Sequence, residues 1–330
     1  MLITRTPFRI SFFGGGTDYP AWLERNRGKV ISTTINKYCY ITARFLSPLF
    51  NYRYRIRYTE HEDVNDISRI KHPSVRECLK FMNITNPLEM QHNADLPAMS
   101  GLGSSSAFTV GFLNALHAIT GKSIDKPKLA NNAIHVEQSI LKENVGSQDQ
   151  VAAAFGGFNA IEFSGRSDIK VTPLNIDRSR LSALEDCLML FYTGVPRVAS
   201  EVAGEQIKNI PDKEKELTAM LAIADEAESL IRGSKDFLND FGRLLHESWL
   251  LKRSLSSRIT TPFIDEVYAS ARDSGAIGGK LLGAGSGGFF LVYANPEFHE
   301  GIKNKLAKLP NVDFKFESDG SKVIYKTEEV

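Results

Sequence analysis

Pro97-Ala98-Met99-Ser100-Gly101-Leu102-Gly103-Ser104-Ser105-Ser106-Ala107 is the stretch of this 330-residue chain from which its architecture follows. Two glycines and three serines stand directly before an apolar run, Phe108 to Ile119, that predicts a helix over about 105–120. Glycine has no Cβ, so backbone N–H groups can come close to a ligand there. The unpaired N–H groups and the positive dipole end of the helix start then favour phosphate. Serine hydroxyls in this position can cap the helix, meet a phosphate oxygen or ligate a Mg²⁺ ion that arrives with ATP. No Gly-Lys-Ser/Thr follows, which separates the loop from the Walker pattern. A capped turn without any ligand would use the same residues, and the rest of the chain has to discriminate.

Two further glycine clusters lie near the ends. One is Pro7-Phe8-Arg9-Ile10-Ser11-Phe12-Phe13-Gly14-Gly15-Gly16-Thr17-Asp18-Tyr19-Pro20; the other is Gly278-Gly279-Lys280-Leu281-Leu282-Gly283-Ala284-Gly285-Ser286-Gly287-Gly288-Phe289. In order and composition the three clusters resemble the three motifs of the GHMP kinases (galactokinase, homoserine kinase, mevalonate kinase and phosphomevalonate kinase). The resemblance spans nearly the whole chain, and its middle motif, Pro-x-x-x-Gly-Leu-Gly-Ser-Ser, is specific. It implies an α+β fold of two domains with the active site in the cleft between them. Residues 1–175 would form a mixed β/α nucleotide-binding domain, and residues 176–330 a ferredoxin-like α/β domain with extra helices.

Bulk properties are those of a soluble globular protein. The length suits two domains. A formal charge of +1 gives no footprint for nucleic acid or for an acidic membrane surface. Cys39, Cys78 and Cys187 are far apart and odd in number, which argues against a disulfide framework and fits a reducing compartment. The first residues carry no apolar core of signal length, and no run is long enough to cross a bilayer. The expectation is a cytoplasmic protein, monomer or homodimer, with no nucleic-acid or membrane partner.

Along the chain, strands are predicted over 2–13, 30–45, 52–58, 88–92, 158–163, 187–192, 276–282, 288–294, 312–317 and 321–327. Helices are predicted over 74–83, 105–120, 127–144, 148–155 and 297–308, with three or four more in 198–274. Tyr52-Arg53-Tyr54-Arg55-Ile56-Arg57-Tyr58 alternates in the manner of a half-exposed strand rather than a nucleic-acid stacking stripe. Ser164 to Arg180 is polar and broken, as a linker would be.

The catalytic assignment comes through the resemblance. Asn144-Val145-Gly146-Ser147-Gln148-Asp149-Gln150 is similar to the Gly-x-x-Asp-Gln segment of galactokinases, which makes Asp149 the implied base and Arg9 its basic partner. A helix N-cap is the plain alternative for Asp149. Phosphoryl transfer to a hydroxyl needs an oriented nucleophile and an acceptor for its proton, and a carboxylate beside arginine stays ionised. Pro97, Ser100, Gly101, Leu102, Gly103, Ser104, Ser105 and Ser106 would hold the triphosphate of ATP. Glu137 with Ser104 or Ser105 would hold Mg²⁺, for which one or two protein ligands suffice.

For the acceptor, the resemblance implies Gly15, Gly16, Thr17 and Asp18, the last binding sugar hydroxyls. The galactokinase Gly-Glu-His-x-Asp run is absent, which leaves galactose in doubt. Phe-Arg-Ile-Ser-Phe-x-Gly-Gly-Gly-Thr-Asp, the Asn-Val-Gly-x-Gln-Asp-Gln segment and Lys-Leu-Leu-Gly-Ala-Gly-x-Gly-Gly-Phe resemble instead the bacterial D-glycero-D-manno-heptose 7-phosphate kinases. This implies transfer to the anomeric hydroxyl of a phosphosugar, giving a 1,7-bisphosphate for nucleotide-activated heptose. The substrate phosphate needs cations, and Thr193, Gly194, Arg197, Lys280 and Gly285 complete the expected substrate site, with Arg197 as the phosphate grip. A fucose- or galactose-type sugar kinase, or a sugar- and ATP-binding sensor without activity, would share the fold.

Overall fold

Alternating apolar residues along Leu2–Phe13 (β1) and Gly28–Phe45 (β2) make two long antiparallel strands, and almost every residue of β1 facing the interior is buried. The computed structural model describes residues 1–166, 168–195, 199–233 and 237–327. The remaining strands in chain order are β3 (Tyr54–Arg57), β4 (His61–Val64), β5 (Leu88–Ala94), β6 (Asn159–Phe163), β7 (Ile169–Pro173), β8 (Leu188–Tyr192), β9 (Gly278–Leu281), β10 (Phe289–Tyr293), β11 (Phe316–Glu317) and β12 (Lys322–Lys326).

β2 is the spine of the larger sheet. β1 runs along one of its edges, and β6, β11 and β5 occupy successive parts of the other. β3 joins β5 in parallel and β4 antiparallel, β7 extends β6, and β12 closes the outer edge of β1. The smaller sheet is antiparallel, in the order β8-β10-β9. β11 and β12, from the end of the chain, therefore complete the sheet begun by β1, so the chain crosses back over the expected 175/176 division.

The helix Ser104–Ile119 lies buried on β1 and β2. Phe12 and Phe13 at the end of β1 meet Phe241 edge-on at 5.3 and 5.0 Å, and Phe241 meets Tyr293 of β10 at 5.5 Å. Such pairs each add roughly 0.5–1.5 kcal/mol beyond area burial, and they join the two sheets in one hydrophobic core. Between Ser11 and Phe13 the β1–β2 register slips, leaving Phe12 without a place in the ladder. A bulge of this kind re-aims backbone groups beside a site.

Three local expectations are corrected. The described part of 164–180 is not a linker: β7 pairs with β6, and a helix over Arg178–Asp186 begins there. An edge strand with two half-buried apolar residues and a helix whose one buried residue is Leu184 carry too weak a hydrophobic pattern to show in sequence. The helix expected over 127–144 stops at Ile134 and continues as a π-helical turn, His135–Ile140. Of the strand expected over 312–317, Phe316–Glu317 forms. In the Tyr52–Tyr58 run, Arg55 and Arg57 both pair with Asp63, as a half-exposed strand would have them.

Candidate active site

A cleft of about 430 Å³ opens where the three glycine clusters converge. Met99, Gly101 and Gly103 have φ of +56°, +90° and +74°, so the loop turns through left-handed backbone just before the helix. Gly103 serves as N-cap with no side chain to offer, and the first-turn N–H groups of the Ser104–Ile119 helix have no side-chain acceptor. Gly101, Gly103, Ser104, Ser105 and Ser106 line the cleft. Pro97 is exposed and outside the lining, Leu102 is fully buried in the core, and Ser100 serves as an anchor through its carbonyl, which accepts from Phe289 N–H at 2.9 Å.

Arg9 projects from β1 into this junction. Its Nε donates to Asp149 Oδ1 at 2.7 Å and its Nη2 to Asp149 Oδ2 at 2.8 Å, while Nη1 donates to the Gly101 carbonyl at 2.6 Å. Its own N–H donates to the Leu102 carbonyl at 3.0 Å. Bidentate geometry fixes the plane of the carboxylate as well as its charge. Asp149 lies in the first turn of the helix Gln148–Phe155, whose N-cap is Ser147, so Asp149 does not cap it. A Cβ placed on Gly103 would lie 3.3 Å from Asp149 Oδ2, which sets the carboxylate beside the phosphate-binding turn.

Glu137 sits in the π-helical turn, fully buried. Ser106 Oγ donates to its Oε2 at 2.9 Å and Gln150 Nε2 donates to the same oxygen, while Oε1 has no hydrogen-bond partner. Burial pushes the carboxyl up to about 7. A carboxylate with a free oxygen and an adjoining hydroxyl is a donor set that fits Mg²⁺. The serine that meets Glu137 is Ser106; Ser104 and Ser105, the expected ligands, make no such contact.

In the first glycine turn, Gly15, Gly16 and Asp18 line the cleft. Asp18 is buried and accepts from Gly16 N–H at 3.0 Å, Gln148 N–H at 3.1 Å and Gln148 Nε2 at 3.0 Å. Burial raises its pKa above the ordinary carboxylate value against these donors, which lower it. Thr17 points inward instead: its hydroxyl donates to the Gly14 carbonyl at 2.8 Å and accepts from Lys29 N–H at 3.1 Å. It holds the turn, fully buried and outside the cleft lining.

The third cluster folds over the phosphate loop. Gly288 has φ of +101°, and a Cβ there would come within 2.3 Å of the Ser100 carbonyl oxygen. Lys280 on β9 lines the cleft and donates from Nζ to the Phe12 carbonyl, freed by the bulge, at 2.7 Å. Burial, aided by Arg9, pushes this ammonium down to about 7. Thr193 is committed elsewhere, donating to the Gly288 carbonyl at 2.8 Å and accepting from Gly288 N–H at 3.0 Å. Gly285 packs against Ile259, with room for no Cβ, and Gly194 is exposed away from the cleft. Arg197 lies outside the described residues.

Sequence reading did not find the aromatic wall of the cleft. His72 stacks on Phe108 with centroids 4.8 Å apart, and Tyr58 and His92 meet this pair edge-on at 4.8 and 5.1 Å. Burial lowers the pKa of His72 and takes that of His92 to about 4, so neither ring carries charge near neutrality. Lys252, also in the lining, donates to the carbonyls of Leu281 and Gly283. These residues come from five separate segments, and no spacing in the chain connects them.

Comparison with known proteins supplies an independent measure. The model of the GHMP kinases N terminal domain matches residues 71–157, and that of the GHMP kinases C terminal matches residues 228–310. A D-glycero-alpha-D-manno-heptose 7-phosphate kinase of Campylobacter jejuni is 32% identical, over 97% of this chain and 97% of that protein. An L-fucokinase/L-fucose-1-P guanylyltransferase of Bacteroides fragilis is 25% identical over 94% of this chain, which spans 37% of its length. The crystal structure of a D-glycero-D-manno-heptose 1-phosphate kinase from Bacteroides thetaiotaomicron has a TM-score of 0.79 over 100% of both chains at 24% identity, which shows a shared fold. Among the described residues no helix is long and apolar enough to cross a membrane.

Proposed function

The chain belongs to the GHMP kinases, and on that premise we propose that it transfers the γ-phosphoryl group of ATP to the anomeric hydroxyl of D-glycero-D-manno-heptose 7-phosphate. As a member of this family it is a phosphotransferase with an alcohol acceptor, and its relatives include sugar kinases. The observation that carries the reading is the Arg9–Asp149 bidentate pair set beside the start of the Ser104–Ile119 helix.

The triphosphate would lie over Gly101 to Ser106, drawn by the free first-turn N–H groups. The uncharged bay of Tyr58, His72, His92 and Phe108 suits the flat, apolar faces of the base. Mg²⁺ would be held by Glu137 and Ser106, and when bound it neutralises charge on the phosphates during transfer. Asp149 orients the sugar hydroxyl and takes its proton as oxygen bonds to phosphorus and the bond to the leaving ADP oxygen breaks. Arg9 keeps that carboxylate ionised and aimed. Lys280, facing the same space, supplies positive charge near the transferring group when protonated.

The test measures ATP consumption with heptose 7-phosphate, galactose, fucose and mevalonate, for the wild type and Asp149→Ala. Turnover on the heptose phosphate that disappears in the variant supports the reading. Turnover confined to a sugar without phosphate keeps the kinase and removes the heptose assignment. ATP binding without turnover on any acceptor replaces both with a sensor.

A further inference from the structure

Resting on the sugar-kinase reading above, we propose that Gln148 and Ser11 form a hydroxyl-reading subsite beside Asp149 that selects the polyol part of the acceptor and turns phosphate away. Gln148 Nε2 donates to Asp18 Oδ1 at 3.0 Å, and the Gln148 backbone N–H donates to Asp18 Oδ2 at 3.1 Å. The amide is thereby locked with its NH₂ toward the carboxylate. Its Oε1 is left buried with no hydrogen-bond partner. Ser11, 6% exposed, has an Oγ in the same condition. Both residues line the cleft.

Gly15 shows that the two atoms share one space. A Cβ on Gly15 would lie 3.5 Å from both Gln148 Nε2 and Ser11 Oγ, and 4.0 Å from Gln148 Oε1. Gly15 itself lines the cleft, so both oxygens lie just beneath its wall, against a residue with no side chain. Buried polar atoms are almost always paired, and one left unpaired costs free energy that a ligand group can recover. Two such atoms facing one space, one residue from Asp149, mark a place where the ligand supplies the partners.

The chemistry of the partners follows from the donor and acceptor inventory. An amide oxygen accepts only, a carboxylate accepts only, and a serine hydroxyl does either. This group of atoms calls for a hydrogen-bond donor, which a sugar C–OH provides. A phosphate dianion offers no donor and would face the Asp18 carboxylate across a buried space. The hydroxyl next to the attacking one therefore lies at Gln148 and Ser11, and the substrate phosphate lies toward the other end of the cleft. For anomeric transfer that neighbour is the 2-hydroxyl.

The test uses D-glycero-D-manno-heptose 7-phosphate and its 2-deoxy counterpart with the wild type, Gln148→Met and Ser11→Ala. The wild type favours the hydroxylated sugar by about tenfold or more in kcat/KM. Each variant loses most of that preference through a higher KM for the hydroxylated sugar, while the KM for ATP is unchanged. Melting temperature and ATP affinity report the integrity of each variant, and Ser11→Ala stands alone should Gln148→Met not fold. A preference retained in the well-folded variants overturns the subsite. If the wild type phosphorylates neither sugar, the kinase assignment to this substrate fails by itself. Calorimetric titration of both sugars onto the protein bound to a non-hydrolysable ATP analogue then decides the subsite. The same preference in Kd upholds it, and equal or absent binding overturns it.

Discussion

Arg9 grips both carboxylate oxygens of Asp149 with Nε and Nη2, and spends its remaining nitrogen on the carbonyl of Gly101. A single guanidinium thus ties β1, the start of the Gln148–Phe155 helix and the phosphate loop into one unit. With 5% of the Arg9 side chain and 25% of the Asp149 side chain exposed, the pair presents one carboxylate edge to the cleft and buries its cation.

Asp149→Asn preserves shape and removes the proton acceptor, so kcat falls about 10²–10⁴-fold while ATP affinity is retained. Arg9→Lys keeps the charge and loses the fork, and kcat falls about 10²-fold through misplacement of Asp149. Steady-state kinetics with nucleotide titrations check both. A kcat within twofold of wild type in either variant would refute the role given to the pair.

Glu137 titrates near 7 in the fold against an ordinary value of 4.5. Between those two values the folded state binds more protons than the unfolded one, so this group's contribution to stability falls as pH rises from about 4.5 to 7. Glu137→Gln removes the titration, and its melting temperature declines less steeply than that of the wild type across this window. In the same variant the gain in ATP affinity on adding Mg²⁺ shrinks about tenfold, with affinity in chelator unchanged. Parallel slopes and an intact Mg²⁺ effect would remove Glu137 from the metal site.

Lys280 is held down to about 7 by burial and by Arg9, so at pH 8 it is mostly neutral in the free enzyme. A phosphate brought close favours the charged form, and binding therefore takes up a fraction of one proton. Calorimetry of ATP binding in buffers of different ionisation enthalpy measures this uptake. It is expected in the wild type at pH 8, smaller at pH 6, and absent in Lys280→Met; uptake that survives in the variant assigns the proton to another group.

Gly288→Ala forces a Cβ to within 2.3 Å of the Ser100 carbonyl at a φ of +101°, and backbone lies on both sides of the clash. The third glycine cluster must then lift from the phosphate loop. A loss of about 2–4 kcal/mol in stability is expected, with ATP affinity reduced in the fraction that folds. Denaturant unfolding and nucleotide titration measure the two effects, and a neutral substitution would show that the clusters are not in fixed contact.

The three glycine clusters, their order and the long strands and helices around them were legible along the chain, because turns and periodic faces are set by residues that are neighbours in sequence. Arg9, Asp149 and the glycines and serines of the 101–106 loop, singled out by motif, line one cleft. Thr17, Thr193 and Gly285 sit in the same motifs, and their hydroxyls or backbone serve the fold instead. Motif position could not separate the two uses, since each depends on which strand lies behind the turn. Glu137, which faces Ser106, sits in a π-helical turn whose one-residue slip has no periodic signature. The aromatic bay and the Asp18–Gln148 lock join residues 14 to 130 positions apart. Local backbone preference determines where the chain turns and coils; the direction in which a polar side chain is spent is determined by desolvation, and desolvation exists only once distant segments have packed together.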